Sequence, residues 1–155
     1  MSEAVGRGGG WVVAQFALMA VIVAAAGLGP RWPEAARTWL VAVGVPLILA
    51  GGAFAVWAAR TLGRSLTPFP RPVDVGSLVE RGPFRIVRHP IYTGGMMLFA
   101  GLSLAAGPVP LALTGALAVL WGLKARVEER HLQVRFPAYA GYAKRVRWRL
   151  VPRVY

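Results

Sequence analysis

Four uncharged apolar stretches, broken by prolines, glycines and arginines, set the plan of this chain. From Trp11 to Gly29 nineteen residues carry no charge and a single polar amide, Gln15. At about 1.5 Å per residue, such a run crosses a hydrocarbon core as a helix. Arg7, the apolar core and Ala24-Ala25-Ala26-Gly27 also fit the outline of a signal peptide. The length of the run and the spans behind it favour a membrane helix. Gly29-Pro30-Arg31-Trp32-Pro33 ends it and begins a short loop to Thr38, with Trp32 and Trp39 suited to an interfacial belt. The second span is read from Trp39 to Ala59 and contains Pro46 and Gly51-Gly52. Lipid tolerates such breakers where neighbouring helices pack against them.

Arg60 to His89 is polar, with six arginines against Asp74 and Glu80, and Pro68, Pro70, Pro72 and Pro83 exclude one continuous helix. A connection this long in a compact chain points to function. Ile91 to Leu123 then runs thirty-three residues without a charge, about 50 Å as one helix and too long for a single crossing. Gly107-Pro108-Val109-Pro110 at its centre predicts a hairpin, Ile91 to Ala106 and Leu111 to Leu123, both arms short for a full crossing. The second arm is expected to continue out of the membrane through Lys124, Arg126, Glu128, Glu129 and Leu132. Gly94, Gly95, Gly101 and Gly115 are expected to permit close helix approach. Met1 to Gly10, glycine-rich, is read as a mobile tail.

Composition agrees with this plan. The 155 residues are 56% hydrophobic and 15% charged, too apolar for an ordinary soluble domain, and the length suits one domain. The expected architecture is therefore all-α and polytopic, about four transmembrane helices ending in a hairpin. The net charge of +12 is distributed on the flanks of apolar runs rather than over a soluble face, which argues for anionic lipid and against nucleic acid. Cysteine is absent and histidine is limited to His89 and His131, so no metal site is expected. Arg60 to Arg88 carries six positive and two negative residues, and Lys124 to the end nine and two, whereas the loop after the first span and the hairpin turn carry few. Both termini are thereby expected in the cytoplasm, in a multi-pass membrane protein. Arg85 to Tyr92 and Glu128 to Tyr142 then lie at the two feet of one hairpin.

The first foot, Gly82-Pro83-Phe84-Arg85-Ile86-Val87-Arg88-His89-Pro90-Ile91-Tyr92, concentrates candidate chemistry. Pro90 drives His89 out of helical geometry and starts the next helix, whose open N-terminus suits a carboxylate or ribose oxygens. Gly94 and Gly95 remove side chains where a flat ligand would press. The structural alternative is a capping His89, with Arg85 and Arg88 on lipid phosphates. At the second foot, the adjacent Glu128 and Glu129 cannot share one narrow helix face, so one can address a cationic ligand while the other pairs with arginine. A solvated, salt-bridged helix is the alternative there. Phe136, Tyr139 and Tyr142 follow on one helical face, and Arg147 to Tyr155 reads as a basic, aromatic surface anchor.

Three motifs in order, Leu62-Gly63-Arg64-Ser65-Leu66-Thr67-Pro68, then Leu78-Val79-x-x-Gly82-Pro83-Phe84-Arg85-x-x-Arg88-His89-Pro90-x-Tyr92-x-Gly94, then Glu128-Glu129-x-x-Leu132-x-x-x-Phe136, resemble the isoprenylcysteine carboxyl methyltransferase family and its phospholipid methyltransferase relatives. The likeness covers about residues 55 to 152. Pro137 and Tyr139 depart from it, many relatives having glycine and then a tyrosine one position later. The resemblance implies an integral membrane methyltransferase using S-adenosylmethionine at the cytoplasmic side, with a lipophilic or lipid-linked acceptor and no obligatory protein partner. By matching position it implies a cofactor site of Leu78, Val79, Phe84, His89, Pro90, Ile91, Tyr92, Glu128 and Glu129, with Lys124 or Arg126 as a basic residue one turn earlier. Arg85, Arg88 and Glu129 are the implied catalytic residues. A membrane NADPH-dependent reductase of steroid-reductase type, which the carboxyl-terminal pattern also resembles, and a non-enzymatic membrane scaffold are the competing readings.

Overall fold

The computed structural model describes residues 8–71 and 76–152, all-helical among the described residues. The readings that involve Met1–Arg7, Pro72, Asp74 and Arg153–Tyr155 lie outside them. Helices α1 (Gly9–Leu28) and α2 (Glu34–Leu62) are followed by 3-10 turns at Gly63–Ser65 and Gly82–Arg85. Then come α3 (Pro90–Ala106), α4 (Pro108–Arg135) and the short α5 (Tyr139–Arg145). By length and composition α1, α2 and α4 can each cross a membrane, and α3 is apolar but only 17 residues long. Phe16, Trp39, Leu49 and Val119 project outward from the spans, the arrangement of a polytopic membrane protein with lipid as its outer solvent.

The helix boundaries depart from expectation in two places, each beside a proline: Pro33 precedes the first residue of α2, and Pro108 is the first residue of α4. α2 starts at Glu34, not Trp39: the Pro33 carbonyl accepts the N–H groups of Ala36 and Arg37, so the loop closes five residues early. α4 starts at Pro108, which leaves Gly107 alone as the hairpin turn. A Cβ on Gly107 would lie 2.1 Å from the Pro30 oxygen, so the turn is pressed against the first interhelical loop. With 28 residues, α4 runs on past the apolar arm through Lys124, Glu128 and Glu129 to Arg135, as expected, and begins three residues earlier than Leu111.

Glycines join α2 to α3. Cβ atoms built on Gly44, Gly51, Gly94 and Gly101 would each come within 2.6 Å of backbone on the opposite helix, and the contacts are reciprocal, Gly44 with Gly101 and Gly51 with Gly94. Without a hydrophobic drive between helices in lipid, such close backbone approach is a main source of association. Gly95 instead makes room for the Trp121 ring, and nothing approaches Gly115. Gly94 and Gly95 therefore admit a helix and an indole, not a flat ligand. Ile22, Phe99, Leu117 and Trp121 form the core where α1, α3 and α4 meet.

The two ends of the bundle differ. At one, the Gly29–Pro33 loop meets the hairpin turn, and the Trp32 indole donates to the Ser103 carbonyl at 3.4 Å. At the other, Gly8 lies against Pro70, and the foot of α3 meets the emerging end of α4 and the chain after α5. The chemistry-bearing segments share this second end.

Candidate functional site

The two feet touch through side chains forty residues apart in sequence. His89 has φ −123° and ψ 64°, outside the helix that Pro90 begins, as an X-Pro step requires. Its ring is buried between the two carboxylates, with Nε2 3.3 Å from Glu129 Oε1 and Nδ1 3.4 Å from Glu128 Oε2. Arg88 Nε donates to Glu129 Oε1 at 2.7 Å, and Arg149 donates to Glu129 Oε2 at 2.8 Å. Glu129 thus holds three partners from two segments, the foot of α3 and the chain after α5. Glu128 accepts from the Tyr92 hydroxyl at 2.5 Å and lies 3.9 Å from Lys124 Nζ.

Burial opposes a charge on His89, but hydrogen bonds to Glu128 and Glu129 outweigh it and hold the imidazole pKa above its usual 6.5. A raised folded-state pKa stabilises the fold fully below the unfolded value, and that stability is lost as pH rises through the folded value. The thermal midpoint in detergent is therefore expected to fall as pH climbs from about 6.5, and His89→Gln should remove that slope. An equal slope in the variant would show that another group titrates.

Rings stack beside the carboxylates: His89 on Tyr92 with centroids 5.7 Å apart, and Tyr92 on Trp121 at 5.4 Å, both nearly parallel. Lys124 sits over Tyr92 and is fully buried, and its Nζ donates to the Pro68 carbonyl at 2.7 Å and to Gln15 Oε1 at 2.6 Å. The Trp121 indole also donates to Gln15, at 3.4 Å. Gln15 was not among the expected site residues. Its signal was the lone amide in an otherwise apolar span, a residue that lipid disfavours unless it has a partner.

A second unforeseen element is the strap that follows α5. The N–H groups of Arg88 and His89 donate to the carbonyls of Trp148 and Arg149, at 2.9 and 3.0 Å, and the Thr93 hydroxyl donates to the Leu150 carbonyl at 2.6 Å. Arg88 Nη1 donates to the carbonyls of Val146 and Arg147, both at 2.9 Å. The strap therefore runs beside the foot of α3 and takes up the N–H groups of the two residues that precede the helix. Tyr139 and Tyr142 pack with Val146, Leu78, Leu132 and Phe136, and the Tyr142 hydroxyl donates to the Phe84 carbonyl at 2.8 Å. Burial pushes both phenol pKa values up, so both hydroxyls stay neutral. The Tyr139 hydroxyl, buried beside Glu129, has no other hydrogen-bond partner among the described residues.

The expected site residues fall into groups. His89, Tyr92, Lys124, Glu128, Glu129 and Arg88 converge. Pro90 is buried and Ile91 half-buried at the foot of α3. Leu78 and Phe84 meet the tyrosine cluster through Tyr142, and the half-buried Val79 follows Leu78 in the same extended stretch. Arg126 is exposed, whereas Lys124 shares a helix face with Glu128, so of the two basic candidates Lys124 is the one in the cluster. Arg85 is exposed, makes no ion pair with either carboxylate among the described residues, and lines a cleft with Arg145 and Arg147.

A family model described as phospholipid methyltransferase matches residues 39–138, which contain both feet but neither Gln15 nor Arg149. Among curated proteins, the cobalt-zinc-cadmium resistance protein CzcN of Cupriavidus metallidurans is 37% identical over 73 residues, 44% of this chain and 33% of that protein. The nickel-cobalt-cadmium resistance protein NccN of Alcaligenes xylosoxydans xylosoxydans is 29% identical over 137 residues, 86% of this chain and 59% of that protein. The chain spans about a third of the first and about three fifths of the second.

Proposed function

We propose that this chain, which belongs to the phospholipid methyltransferase family, is an S-adenosylmethionine-dependent enzyme that methylates a lipophilic acceptor at the cytoplasmic face of the membrane. The observation that carries the reading is the junction of His89 with Glu128 and Glu129, because it joins both feet of the hairpin inside the family-matched segment. When bound, the cofactor supplies a methyl group already activated on a sulfonium, so positioning and desolvation can serve in place of a protein nucleophile.

The donor set fits that group. Glu128 is the more accessible carboxylate, its side chain 15% exposed against 7% for Glu129, and its contacts to His89 and Lys124 are the longer ones. It is the residue available to offset a cationic centre. The Tyr139 hydroxyl, buried beside Glu129 and without any other hydrogen-bond partner among the described residues, offers a donor for a polar group. Glu129, saturated by Arg88, His89 and Arg149, has a positioning role: it fixes the imidazole and the strap. Arg88 is spent on Glu129 and on two strap carbonyls, which leaves Arg85 as the arginine free to meet an acceptor.

The curated relatives are named for resistance to divalent metals. Glu129 is saturated by Arg88, His89 and Arg149, which leaves Glu128 as a single available carboxylate, too few oxygen ligands for a divalent cation, so the reading favours methylation over metal capture.

Binding of S-adenosylhomocysteine tests the reading. Calorimetry in detergent should give a measurable affinity for the wild type and at least a tenfold loss, about 1.4 kcal/mol, for Glu128→Ala and for His89→Ala. Stabilisation by NADPH and not by S-adenosylhomocysteine would sink the assignment in favour of a reductase. Transfer of labelled methyl into extracted host lipids would then identify the acceptor.

A further inference from the structure

A cleft of about 490 Å³ lies beside the carboxylate cluster and shares none of its residues; Arg85, Ile86, Arg145, Val146, Arg147, Trp148 and Pro152 line it. Three arginines from two segments some sixty residues apart converge there, with no carboxylate on the wall. Their accounts differ. Arg145 pairs with Glu80, yet its side chain remains 63% exposed. No ion pair engages Arg85 or Arg147 among the described residues, and both are exposed. Among the described residues, the acids of this end have partners outside Arg85 and Arg147: Glu80 meets Arg145, Glu129 meets Arg88 and Arg149, and Glu128 meets Tyr92 and His89.

The geometry of the cleft is held by backbone rather than by its arginines. One wall is the 3-10 turn Gly82–Arg85, whose Phe84 carbonyl accepts the Tyr142 hydroxyl. The other is the strap, tied to the foot of α3 by the carbonyls of Trp148 and Arg149. The walls of the cleft are therefore set by bonds made elsewhere, and three cations lining one cleft give it a positive potential that favours an anion. Arginine presents a planar fork that matches phosphate oxygens in pairs, and Trp148 adds an amphipathic ring suited to the headgroup level of a bilayer.

We infer that this cleft is an anion seat, separate from Glu128 and Glu129, that holds the phosphate of a phosphate ester through Arg85 and Arg147. The seat deepens the methyltransferase reading, on which its role as the acceptor's handle rests: an acceptor bearing phosphate would be anchored beside the feet of the hairpin. Phosphate binding itself does not depend on that reading.

The experiment uses the full chain in a neutral detergent and follows its thermal midpoint with three probes: short-chain phosphatidylglycerol, short-chain phosphatidylcholine and inorganic phosphate. Phosphatidylglycerol should raise the midpoint by several degrees, and the double variant Arg85→Gln/Arg147→Gln should lose at least tenfold in its half-saturating concentration. The same double variant should keep its response to S-adenosylhomocysteine, which separates failure of the seat from failure of the cofactor reading. If inorganic phosphate reproduces the shift at similar concentration, the seat stands and its source is a soluble phosphate. A response to phosphatidylglycerol alone, or to both lipids, assigns it to a lipid headgroup. No response to any probe, or an undiminished response in the double variant, overturns the seat.

Discussion

Glu129→Ala should destabilise this protein by about 3–5 kcal/mol, the usual cost of removing one partner from a buried ion pair. Glu129 is 7% exposed in its side chain and is the common acceptor for Arg88, His89 and Arg149, which come from the foot of α3 and from the strap. Without it, the guanidinium groups and a proton-favouring imidazole face one another with only Glu128 near, and that residue is engaged by Tyr92. The strap also loses a side-chain tether, although its backbone bonds to Arg88 and His89 remain. A denaturation midpoint in detergent measures the loss, and limited proteolysis should cut first near Arg147 and Arg149. A change below about 1 kcal/mol would mean that the cations reach solvent at little cost and that the cluster is a surface network. Glu129→Gln separates shape from charge: it preserves hydrogen-bond acceptance and should recover only part of the loss.

This cluster was legible in the sequence to a definite depth. Uncharged runs bounded by arginine located the membrane helices, because lipid penalises charge strongly enough to mark each end. The glycine-proline centre of the long run predicted a hairpin, and a hairpin necessarily brings its feet together, so His89 and Glu129 could be paired without any contact information. The exact helix starts at Glu34 and Pro108 were not legible, since a proline that ends one helix is equally suited to begin another.

Two features escaped for different physical reasons. Gln15 reaches Lys124 across 109 residues of sequence, and no periodicity relates one amide in α1 to one amine in α4. Apart from the Arg149 side chain on Glu129, the strap is held by main-chain carbonyls of Val146, Arg147, Trp148, Arg149 and Leu150, groups every residue possesses and no sequence pattern marks. Its basic and aromatic composition suggested a membrane anchor, whereas its backbone runs beside the foot of α3 and takes up the N–H groups of Arg88 and His89. Composition described what its side chains are suited to meet and was silent on where its main chain goes.

The same limit applied to the glycines, and there it gives the second large effect. Gly51→Ala is expected to cost about 3 kcal/mol, at the upper end for overpacking, since its Cβ would lie 2.5 Å from Leu98 N and 2.6 Å from the Gly94 oxygen. Neither obstacle is a side chain that can rotate aside; the helices themselves would have to separate, and α2 and α3 are joined by this contact and by its counterpart at Gly44 and Gly101. Separation would also move Pro90 and His89 at the foot of α3, so S-adenosylhomocysteine affinity should fall together with stability. The adjacent Gly52 supplies the control. Its added Cβ would meet only Leu98 Cδ1, at 3.6 Å, an ordinary contact with a flexible side chain. Gly52→Ala should therefore be neutral or slightly stabilising, because alanine is the better helix former by about 1 kcal/mol. If both substitutions proved equally harmless, α2 and α3 would not be in backbone contact, and the framework that holds His89 against α4 would have to rest on side-chain packing instead.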